Sequence, residues 1–441
     1  MATRKETALK YFEENRAFME TTVKENTERY RKGDFTVAVR DKDGNPVNAT
    51  VRAVLKNHAF RFGANIFMLD EFAEPEKNER YKQAFKEIFN IATIPFYWSD
   101  LEPEDGKPRF AKDSPRIYRR PAPDLCVEYC LGNGIEPKCH CLNYNNFTPA
   151  WLKDVTADEY KARLDRRMRE LAERYADVIP SWEVTNESFN GADSYSDFFK
   201  CDDFIEWSFE SADRYFPNNR LIINDWAVWG DGWLPFRWNR STYYMQIERL
   251  IASGKGHLDS IGMQFHIFCS QENEKDSARF RYNPLQLYEV MDTYAALGKK
   301  LQITEMTIPA YSATEEDEAI QAELIENIYR VFFSHPAMEA VIYWNLPDGY
   351  AAFAPLGDMT AGENKFHGGF LRFDLSEKPA YKALRRLIKE EWHTDVTLTG
   401  AENTFRGFYG DYDIAVNVGG KEYKTTALFT ENGENKITVT V

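Results

Sequence analysis

Eight short apolar segments between residues 60 and 346 constrain the fold of this chain more than any other feature. Each has the length and composition of a buried β-strand, and helical stretches separate most of them. Strands that alternate with helices pair in parallel, and eight such units in series close into a barrel rather than an open sheet. The sequence therefore predicts an α/β fold, a (β/α)8 TIM barrel. The strand segments are Phe60–Phe67, Ile91–Trp98, Glu136–Leu142, Val178–Thr185, Leu221–Asp225, Ser260–Ile267, Leu301–Ile308 and Val341–Leu346.

Both ends of the chain carry patterns that differ from the barrel. Residues 3–32 predict a charged helix ahead of two strands, and the helices stop after Trp392, where the tail predicts four more strands. We expect these strands to form one small accessory β-sandwich, so that residues 1–57 and 394–441 flank a barrel at residues 58–393. The six strand segments are Phe35–Arg40, Ala49–Lys56, Val396–Thr399, Asp413–Val418, Thr425–Thr430 and Lys436–Val441.

Composition limits the partners of the chain. Its 441 residues carry a net charge of −15 at pH 7, which repels phosphate backbones, so we expect no nucleic acid partner. No segment approaches the roughly 18 apolar residues of a membrane span, so we expect no membrane partner. Aromatic residues make up 15% of the chain, which suits either an aromatic core or stacking on a neutral ligand. The six cysteines include no CxxC pair, so we expect free thiols and no metal site.

The N-terminus gives no clear compartment. Its first residues are polar and charged, and they lack the apolar core of a signal peptide. We expect a secreted protein if a leader has been removed ahead of this sequence, and a cytoplasmic protein otherwise. The sequence does not indicate an oligomeric state.

Two glutamates stand at the ends of predicted strands nearly across the barrel mouth. Glu187 follows the fourth strand and Glu305 lies in the seventh. The active site of a TIM barrel lies at the carboxyl ends of its strands, so both side chains can flank one bond. Glycoside hydrolysis uses such a pair, a protonated carboxyl that donates to the leaving oxygen and an ionised one that attacks the anomeric carbon. The pair therefore predicts a glycoside hydrolase, although either glutamate alone could be a rim ion-pair partner.

Neighbouring strands supply further candidate side chains. The Asn186 amide can bond a sugar hydroxyl next to the reacting carbon. Gln264 and His266 alternate on the sixth strand and can both face inward, where His266 would orient Glu305. Trp344 ends the eighth strand and would lie under a sugar ring, with core packing as the alternative.

Seven segments, in the right order between about residues 60 and 390, resemble glycoside hydrolase family 10, the β-1,4-xylanases. WEVTNES at 182–188 is similar to the family's acid/base motif WDVVNE, and ITEMTI at 303–308 is similar to its nucleophile motif ITELDI. The other five segments are WSDLEPEDGKPRF (98–110), KCHCLNYNNFTPAWL (138–152), LIINDWA (221–227), IGMQFHI (261–267) and GGFLRFDLSEKPAYKAL (368–384).

The resemblance implies a (β/α)8 fold, net retention, no cofactor, and a β-1,4-linked xylan or xylo-oligosaccharide as substrate. By position it makes Glu187 the acid/base and Glu305 the nucleophile. Since these motifs also carry sugar contacts, we expect a second set of residues to bind substrate or orient the nucleophile. They are Asn186, Gln264, His266, His140, which matches the first His of the third-strand motif, and Trp226, which lies in the fifth-strand segment.

The departures from the family pattern concentrate where the glycone, the sugar on the non-leaving side, would be held. In place of the family's Glu-Asn-x-x-Lys, the second strand has Thr93-Ile94-Pro95-Phe96-Tyr97, without those three polar groups. The third-strand Trp and second His are replaced by Tyr144 and Asn145, and the second eighth-strand Trp falls near 352–353. Losing a buried hydrogen-bond partner costs ~1–3 kcal/mol. We therefore expect an altered glycone pocket, lined by Tyr97, Tyr144 and Asn145.

Three functions remain open from the sequence. The first is a xylan hydrolase with an unusual glycone site, the second is a retaining β-glycosidase for another sugar, and the third is a non-catalytic carbohydrate-binding barrel. The tail, residues 395–441, could also be a carbohydrate-binding module. A structural sandwich is favoured because the tail is short for an independent domain. The candidate stacking residues of such a module are Phe405, Phe408, Tyr409 and Tyr412.

Overall fold

An interrupted helical segment and two strands precede the barrel. The structure, a computed structural model, describes residues 3–189, 196–229 and 237–441. One helix was predicted over 3–32, but Asn15 leaves the helical region, with φ of −109° and ψ of 27°, and its side chain donates to the Tyr11 carbonyl at 2.8 Å. That local bond competes with the helical ladder and breaks the segment. Its parts are the helices Arg4–Ala8, Lys10–Glu14, Arg16–Phe18 and Lys24–Tyr30, the π-helical turn Met19–Val23, and strands β1 (Lys32–Arg40) and β2 (Ala49–His58).

Eight parallel strands form a closed barrel and confirm the predicted TIM fold. Around the barrel the order is β10, β3, β4, β5, β6, β7, β8, β9, and each observed strand overlaps its predicted segment. The strands are buried on both faces, which is why several of them are rich in apolar residues, whereas β5 and β6 also bury polar side chains. They are β3 (Arg61–Asn65), β4 (Ile91–Pro95), β5 (Glu136–His140), β6 (Ser181–Asn186), β7 (Arg220–Asp225), β8 (Ser260–His266), β9 (Lys300–Thr307) and β10 (Met338–Tyr343).

Helices connect the barrel strands, and side-chain caps start several of them. Thr156, Ser241 and Thr314 each accept a hydrogen bond from a backbone N–H of the first turn, which satisfies a donor that the helix itself cannot pair. None of the helices in the described part of the chain is long and apolar enough to cross a membrane. The helices are Pro75–Ile88, Trp98–Leu101, Pro123–Gly132, Ala157–Tyr175, Phe204–Tyr215, Thr242–Ser253, Glu274–Arg281, Pro284–Ala295, Glu315–Ser334 and Pro379–Arg386, followed by the π-helical turn Leu387–Glu391.

The two chain ends build the accessory β-sandwich that the sequence predicts. One sheet has the order β12, β1, β15 and the other has the order β11, β2, β13, β14. The Phe35 ring of β1 stacks on Phe429 at 4.3 Å between centroids and meets the Tyr412 edge at 5.7 Å, so aromatic rings fill the space between the sheets. The five tail strands are β11 (Asp395–Gly400), β12 (Glu402–Phe408), β13 (Gly410–Val418), β14 (Lys421–Phe429) and β15 (Lys436–Thr440).

The sandwich joins the barrel at the end where the barrel strands begin. Strand β2 leads into β3 within three residues, and Trp392 stacks on Phe333 at 4.2 Å and on Phe62 at 5.7 Å. The sandwich therefore lies opposite the carboxyl ends of the strands. Three of the candidate stacking residues of a binding module, Phe405, Phe408 and Tyr412, are at most 7% exposed. Phe405 and Tyr412 lie in the sandwich core and Phe408 packs against Phe333 of the barrel, so they offer no platform to a sugar.

Candidate active site

A cavity of about 340 Å³ opens at the carboxyl ends of the barrel strands. This volume lies within the range of sites that hold small ligands. Most of the predicted site residues meet there, although they come from seven different strands or the loops after them. Those that line the cavity are Tyr97, His140, Tyr144, Asn186, Glu187, Trp226, Gln264, His266, Glu305 and Trp344.

Glu187 enters the cavity at the sharp turn that ends β6. Its φ is 49°, in the left-handed region, whereas the strand ends at Asn186. The Tyr144 hydroxyl donates to Glu187 Oε2 at 2.7 Å, and Gln264 Nε2 donates to Oε1 at 3.2 Å. A backbone conformation that a non-glycine residue rarely adopts is typical of functional positions. Here it re-aims the side chain from the strand into the cavity.

Glu305 lies within β9 and accepts three hydrogen bonds. Asn224 Nδ2 and Gln264 Nε2 donate to Oε1 at 3.0 and 3.1 Å, and His266 Nε2 bonds to Oε2 at 3.1 Å. The other His266 nitrogen, Nδ1, bonds to Thr307 Oγ1 at 2.9 Å, which fixes the ring. Three donors aimed at one carboxyl stabilise its ionised form.

One amide holds the two glutamates together. Gln264 Nε2 lies within 3.2 Å of a carboxylate oxygen of Glu187 and of Glu305, and within 3.3 Å of Asn186 Oδ1. The distance between those two carboxylate oxygens therefore cannot exceed the sum of the two hydrogen-bond distances. Asn224 Nδ2 also donates to Asn186 Oδ1 at 2.8 Å. With its oxygen occupied, the Asn186 amide nitrogen is the group that can donate to a ligand.

The two carboxyls differ in their affinity for protons. Burial and the neighbouring charge of Glu305 raise the pKa of Glu187 above its ordinary value, against the hydrogen bonds from Tyr144 and Gln264. Burial also acts to raise the pKa of Glu305. The hydrogen bond from His266 and the nearby His140 and Lys138 outweigh it and hold the pKa of Glu305 below its ordinary value. Shifts in opposite directions favour the proton on Glu187 and the negative charge on Glu305.

A buried ionic chain lies beneath the cavity. Glu183, on β6, bonds both Lys138 Nζ and His140 Nδ1, and all three side chains are at most 1% exposed. His140 Nε2 then bonds to the Tyr97 hydroxyl at 3.0 Å. Since a buried carboxylate needs partners, Lys138 and His140 compensate Glu183. The chain also fixes the Tyr97 ring at the cavity wall.

Aromatic rings form one wall of the cavity. Trp344 meets the Phe67 edge at 5.3 Å and the His140 ring at 5.5 Å, and Tyr97 stacks on Phe147 at 4.0 Å. The Tyr144 ring lies 5.4 Å from Phe147. Apolar ring faces combined with polar edges suit a sugar ring, which has C–H faces and hydroxyl edges.

Asn145, which was predicted to line the pocket, begins the 3-10 turn Asn145–Phe147 and is not among the residues that line this cavity. The turn presents its neighbours instead, because Phe147 lines the wall and Asn146 Nδ2 donates to the Tyr144 hydroxyl at 2.9 Å. In a tight turn, successive side chains point in different directions, so one residue can face the cavity while its neighbour does not.

Several cavity residues were not predicted. Arg119 and Arg120 come from the loop between the helices Trp98–Leu101 and Pro123–Gly132, and Glu363 lies in the 3-10 turn Gly362–Phe366 after β10. The Arg120 guanidinium lies 4.3 Å from the Tyr97 ring centroid. Two adjacent arginines in a loop are a sequence signal of a candidate binding site. Which loop residues reach the cavity, however, depends on how the long loop folds. The other unpredicted lining residues are Phe67, Phe147, Phe268, Arg281, Ala352 and Phe353.

Comparison of the sequence with known proteins gives a family and curated relatives. The model described as glycosyl hydrolase family 10 matches residues 51–386. The chain is 24% identical to Anti-sigma-I factor RsgI6 of Acetivibrio thermocellus, over 94% of this chain and 49% of that protein. It is 23% identical to a beta-1,4-xylanase of Dictyoglomus thermophilum, over 64% of this chain and 84% of that protein. The chain thus spans about half the length of the first of these relatives.

Solved structures share the barrel. Native xylanase 10B from Thermotoga maritima is similar with a TM-score of 0.59 at 22% identity, over 76% of this chain and 96% of that one. Xylanase 10B from Thermotoga petrophila in complex with xylobiose is similar with a TM-score of 0.59 at 20% identity, over 76% of this chain and 95% of that one. At this identity the likeness concerns the fold.

Proposed function

Because the chain belongs to glycosyl hydrolase family 10, as its motifs predict, we propose that it is a retaining glycoside hydrolase that cleaves β-1,4-xylosidic bonds in xylan or xylo-oligosaccharides. Glu187 is the general acid/base and Glu305 is the nucleophile. The observation that carries the proposal is that one amide, Gln264 Nε2, bonds two carboxyls whose pKa values are displaced in opposite directions.

The separation of the carboxyls supports retention. Retaining enzymes keep them ~5–5.5 Å apart, whereas inverting enzymes leave ~6.5–9.5 Å for a water molecule. Because Gln264 Nε2 bonds one oxygen of each carboxyl at 3.1 and 3.2 Å, those two oxygens lie closer together than the inverting range. This short separation supports the carboxylate itself as the nucleophile.

The first step of the reaction uses both glutamates. Glu305 attacks the anomeric carbon, the glycosidic C–O bond breaks, and the Glu187 proton passes to the leaving oxygen. The raised pKa of Glu187 favours its protonated form, and the hydrogen bond from His266 helps to favour the ionised form of Glu305. A glycosyl ester of Glu305 and a free aglycone result.

The second step reverses the role of Glu187. Once Glu305 is esterified its negative charge is gone, so one cause of the raised pKa of Glu187 is removed. The Glu187 carboxylate then takes a proton from water while the water oxygen attacks the anomeric carbon. The ester bond breaks, Glu305 is ionised again and Glu187 is protonated again. Two inversions give a product of retained configuration.

Two alanine variants test these roles. Glu305→Ala should abolish turnover of an aryl β-xyloside, and added azide should restore it with an α-glycosyl azide as product. Glu187→Ala should keep a slow reaction with a good leaving group, and azide should then give the β-glycosyl azide. Glu104→Gln, on an exposed loop residue bonded to Lys107, is the matched control and should be fully active. Unchanged turnover by Glu305→Ala would remove the proposed mechanism.

The choice of sugar needs a separate measurement. The relatives named as xylanases support a β-xyloside, but the glycone side of this chain departs from the family pattern. Initial rates on aryl β-xyloside, β-glucoside and β-galactoside compare the sugars directly. Equal or faster turnover of a non-xyloside would replace xylan by another β-glycoside and leave the mechanism intact.

A second candidate function is carbohydrate binding without turnover. It is favoured by the match to a protein named as an anti-sigma factor, which extends over 94% of this chain and so includes the sandwich as well as the barrel. Both carboxyls and their pKa difference favour the hydrolase. Binding of xylobiose by calorimetry, with no reducing ends released from xylan over a day, would support the binding function instead.

A further inference from the structure

The two catalytic candidates divide the barrel rim into a short and a long arc. Between β6 and β9, the short arc contains β7 and β8, and the long arc contains β10, β3, β4 and β5. The short arc is filled by side chains that bond Glu305, namely Asn224, Gln264 and His266. A sugar ring therefore has room over the long arc.

The long arc is mainly aromatic. Phe67, Tyr97 and Trp344 cover it, and the Tyr97 hydroxyl is already bonded to His140. Rings bind the faces of a sugar but not its hydroxyls, and a buried hydroxyl without a partner costs ~1–3 kcal/mol. Polar groups that hold the sugar edge must come from another part of this arc.

One carboxyl group on this arc is positioned by a chain of hydrogen-bonded side chains. Glu363 lines the cavity, and its Oε2 accepts from Asn345 Nδ2 at 3.1 Å. Asn345 Oδ1 in turn accepts from Arg119 Nη2 at 3.0 Å, and Arg119 also donates to the Tyr350 carbonyl. Arg119 and Asn345 are at most 9% exposed. A carboxylate has about four acceptor positions, so Glu363 can accept ligand hydroxyls as well.

The loop that carries Glu363 is fixed before any ligand arrives. Gly362 has φ of 49°, and a Cβ there would lie 2.9 Å from the Phe353 carbonyl oxygen, so glycine is required for this approach. The Asn364 side chain accepts from the Ala351 N–H at 2.9 Å and donates to the Asp358 carbonyl at 3.1 Å. A binding group on a preformed loop loses little entropy on binding.

The arginines of this arc are used within the protein. Arg120 Nε donates to Asp100 Oδ2 at 2.6 Å, and Arg119 donates to Asn345 and Tyr350 as described above. These hydrogen bonds stabilise the wall and occupy donors that could otherwise bind an anionic ligand. The polar group that this wall offers to a ligand is the carboxyl of Glu363, whose pKa is raised by burial and further by the charge of Glu305. A uronic acid here would add a third carboxyl to these two, which the site disfavours.

We propose that Glu363, positioned by Asn345 and Arg119, is a specificity-determining residue that accepts hydrogen bonds from the hydroxyls of a neutral glycone on the long arc. This inference rests on the proposed hydrolase function. It replaces the polar glycone contacts that the second strand lacks, and it excludes a uronic acid in the same position.

Substrate deletion combined with mutation tests the proposal. kcat/KM is measured for the wild type, Glu363→Ala and Glu363→Gln on dinitrophenyl β-xyloside and xylobioside and on their monodeoxy analogues. With a leaving group that needs no proton, a lost glycone contact lowers kcat/KM by ~10–100-fold, whereas loss of acid catalysis has little effect. Removing the hydroxyl that Glu363 binds should lower kcat/KM of the wild type by the same factor. It should leave kcat/KM of Glu363→Ala almost unchanged.

The controls separate binding from folding and from the proposed function. Asp358→Asn makes the same charge change on the same loop but outside the cavity and should leave kcat/KM unchanged. The thermal unfolding midpoint of Glu363→Gln should stay within a few degrees of the wild type. The inference is wrong if each deoxy substitution lowers kcat/KM by the same factor in the wild type and in Glu363→Ala. It is also wrong if a glucuronide is turned over faster than the xyloside. Neither result would contradict the proposed hydrolase function. If the wild type has no turnover, or Glu305→Ala keeps it, the proposed function itself fails.

Discussion

Replacing Tyr144 with phenylalanine tests whether Glu187 is the proton donor. The Tyr144 hydroxyl donates to Glu187 Oε2 at 2.7 Å and accepts from Asn146 Nδ2 at 2.9 Å. The bond to Glu187 stabilises the ionised carboxylate, and so opposes burial and the charge of Glu305, which raise its pKa. Tyr144→Phe removes one oxygen and keeps the ring that packs 5.4 Å from Phe147.

The expected effect follows from the strength of one hydrogen bond to a carboxylate. Such a bond contributes ~1.5–3 kcal/mol. Since about 1.36 kcal/mol corresponds to one pKa unit, complete loss would raise the pKa of Glu187 by roughly 1–2 units. A water that enters the cavity replaces part of the bond, so we expect a rise of about 1 unit. A proton donor works only below its pKa, so the high-pH limb of the kcat/KM profile should move up by the same amount.

The assay is kcat/KM for an aryl β-xyloside as a function of pH, because this profile reports the pKa values of the free enzyme. Tyr97→Phe is the matched control. Its hydroxyl bonds His140 Nε2 at 3.0 Å and not Glu187, so the high-pH limb should stay in place whatever happens to kcat. If the limb of Tyr144→Phe stays fixed, moves down, or moves equally in both variants, Glu187 is not the donor that Tyr144 tunes.

Three further variants give independent tests. His266→Asn removes the largest influence that lowers the pKa of Glu305, so the low-pH limb of the same profile should move up, and a fixed limb would contradict the role of Glu305. His58 is neutral in the fold because burial lowers its pKa to about 3, so its contribution to stability is lost as pH falls below the ordinary value of 6.5. His58→Phe should therefore reduce, by roughly 2–3 kcal/mol, the difference in unfolding free energy between pH ~7 and ~4.5 in urea titrations, and an unchanged difference would contradict the assigned pKa. Phe35→Ala should lower the unfolding free energy by ~3–5 kcal/mol, because it empties the sandwich core, yet leave KM unchanged below the melting transition. A changed KM would mean that the sandwich influences the site.

The barrel could be predicted from the sequence because its signal is local and repeated. Each buried strand is a short apolar run, and eight runs permit one closed arrangement. Strand β12 was missed because only Phe405 and Phe408 of its seven residues are large and apolar, and the rest alternate polar side chains with Gly407. Its partner β1 lies more than 360 residues away, and no local pattern indicates such a pairing.

The catalytic pair was easier to predict than the pocket around it. Glu187 directly follows β6 and Glu305 lies in the last part of β9, so the strand ends fix their place on the rim. Arg119 and Glu363 belong to loops that reach the cavity only because other loops hold them there. Asn145 shows the same limit, since a tight turn decides which of three successive side chains faces inward. Loop residues are positioned by contacts distant in sequence, which strand and helix patterns do not contain.

The strands that pair in the sandwich are synthesised at widely separated times. Ala38 of β1 pairs with Glu402 of β12, and Val51 of β2 pairs with Leu398 of β11. At ~5–20 residues per second, roughly 20–70 seconds separate the appearance of the two partners on the ribosome. The whole barrel is made during this interval, while the first two strands have no sheet to join. Strands β1 and β2 are thus made before the barrel but acquire these neighbours only after it, and their exposed edges have to stay soluble until β11 and β12 emerge.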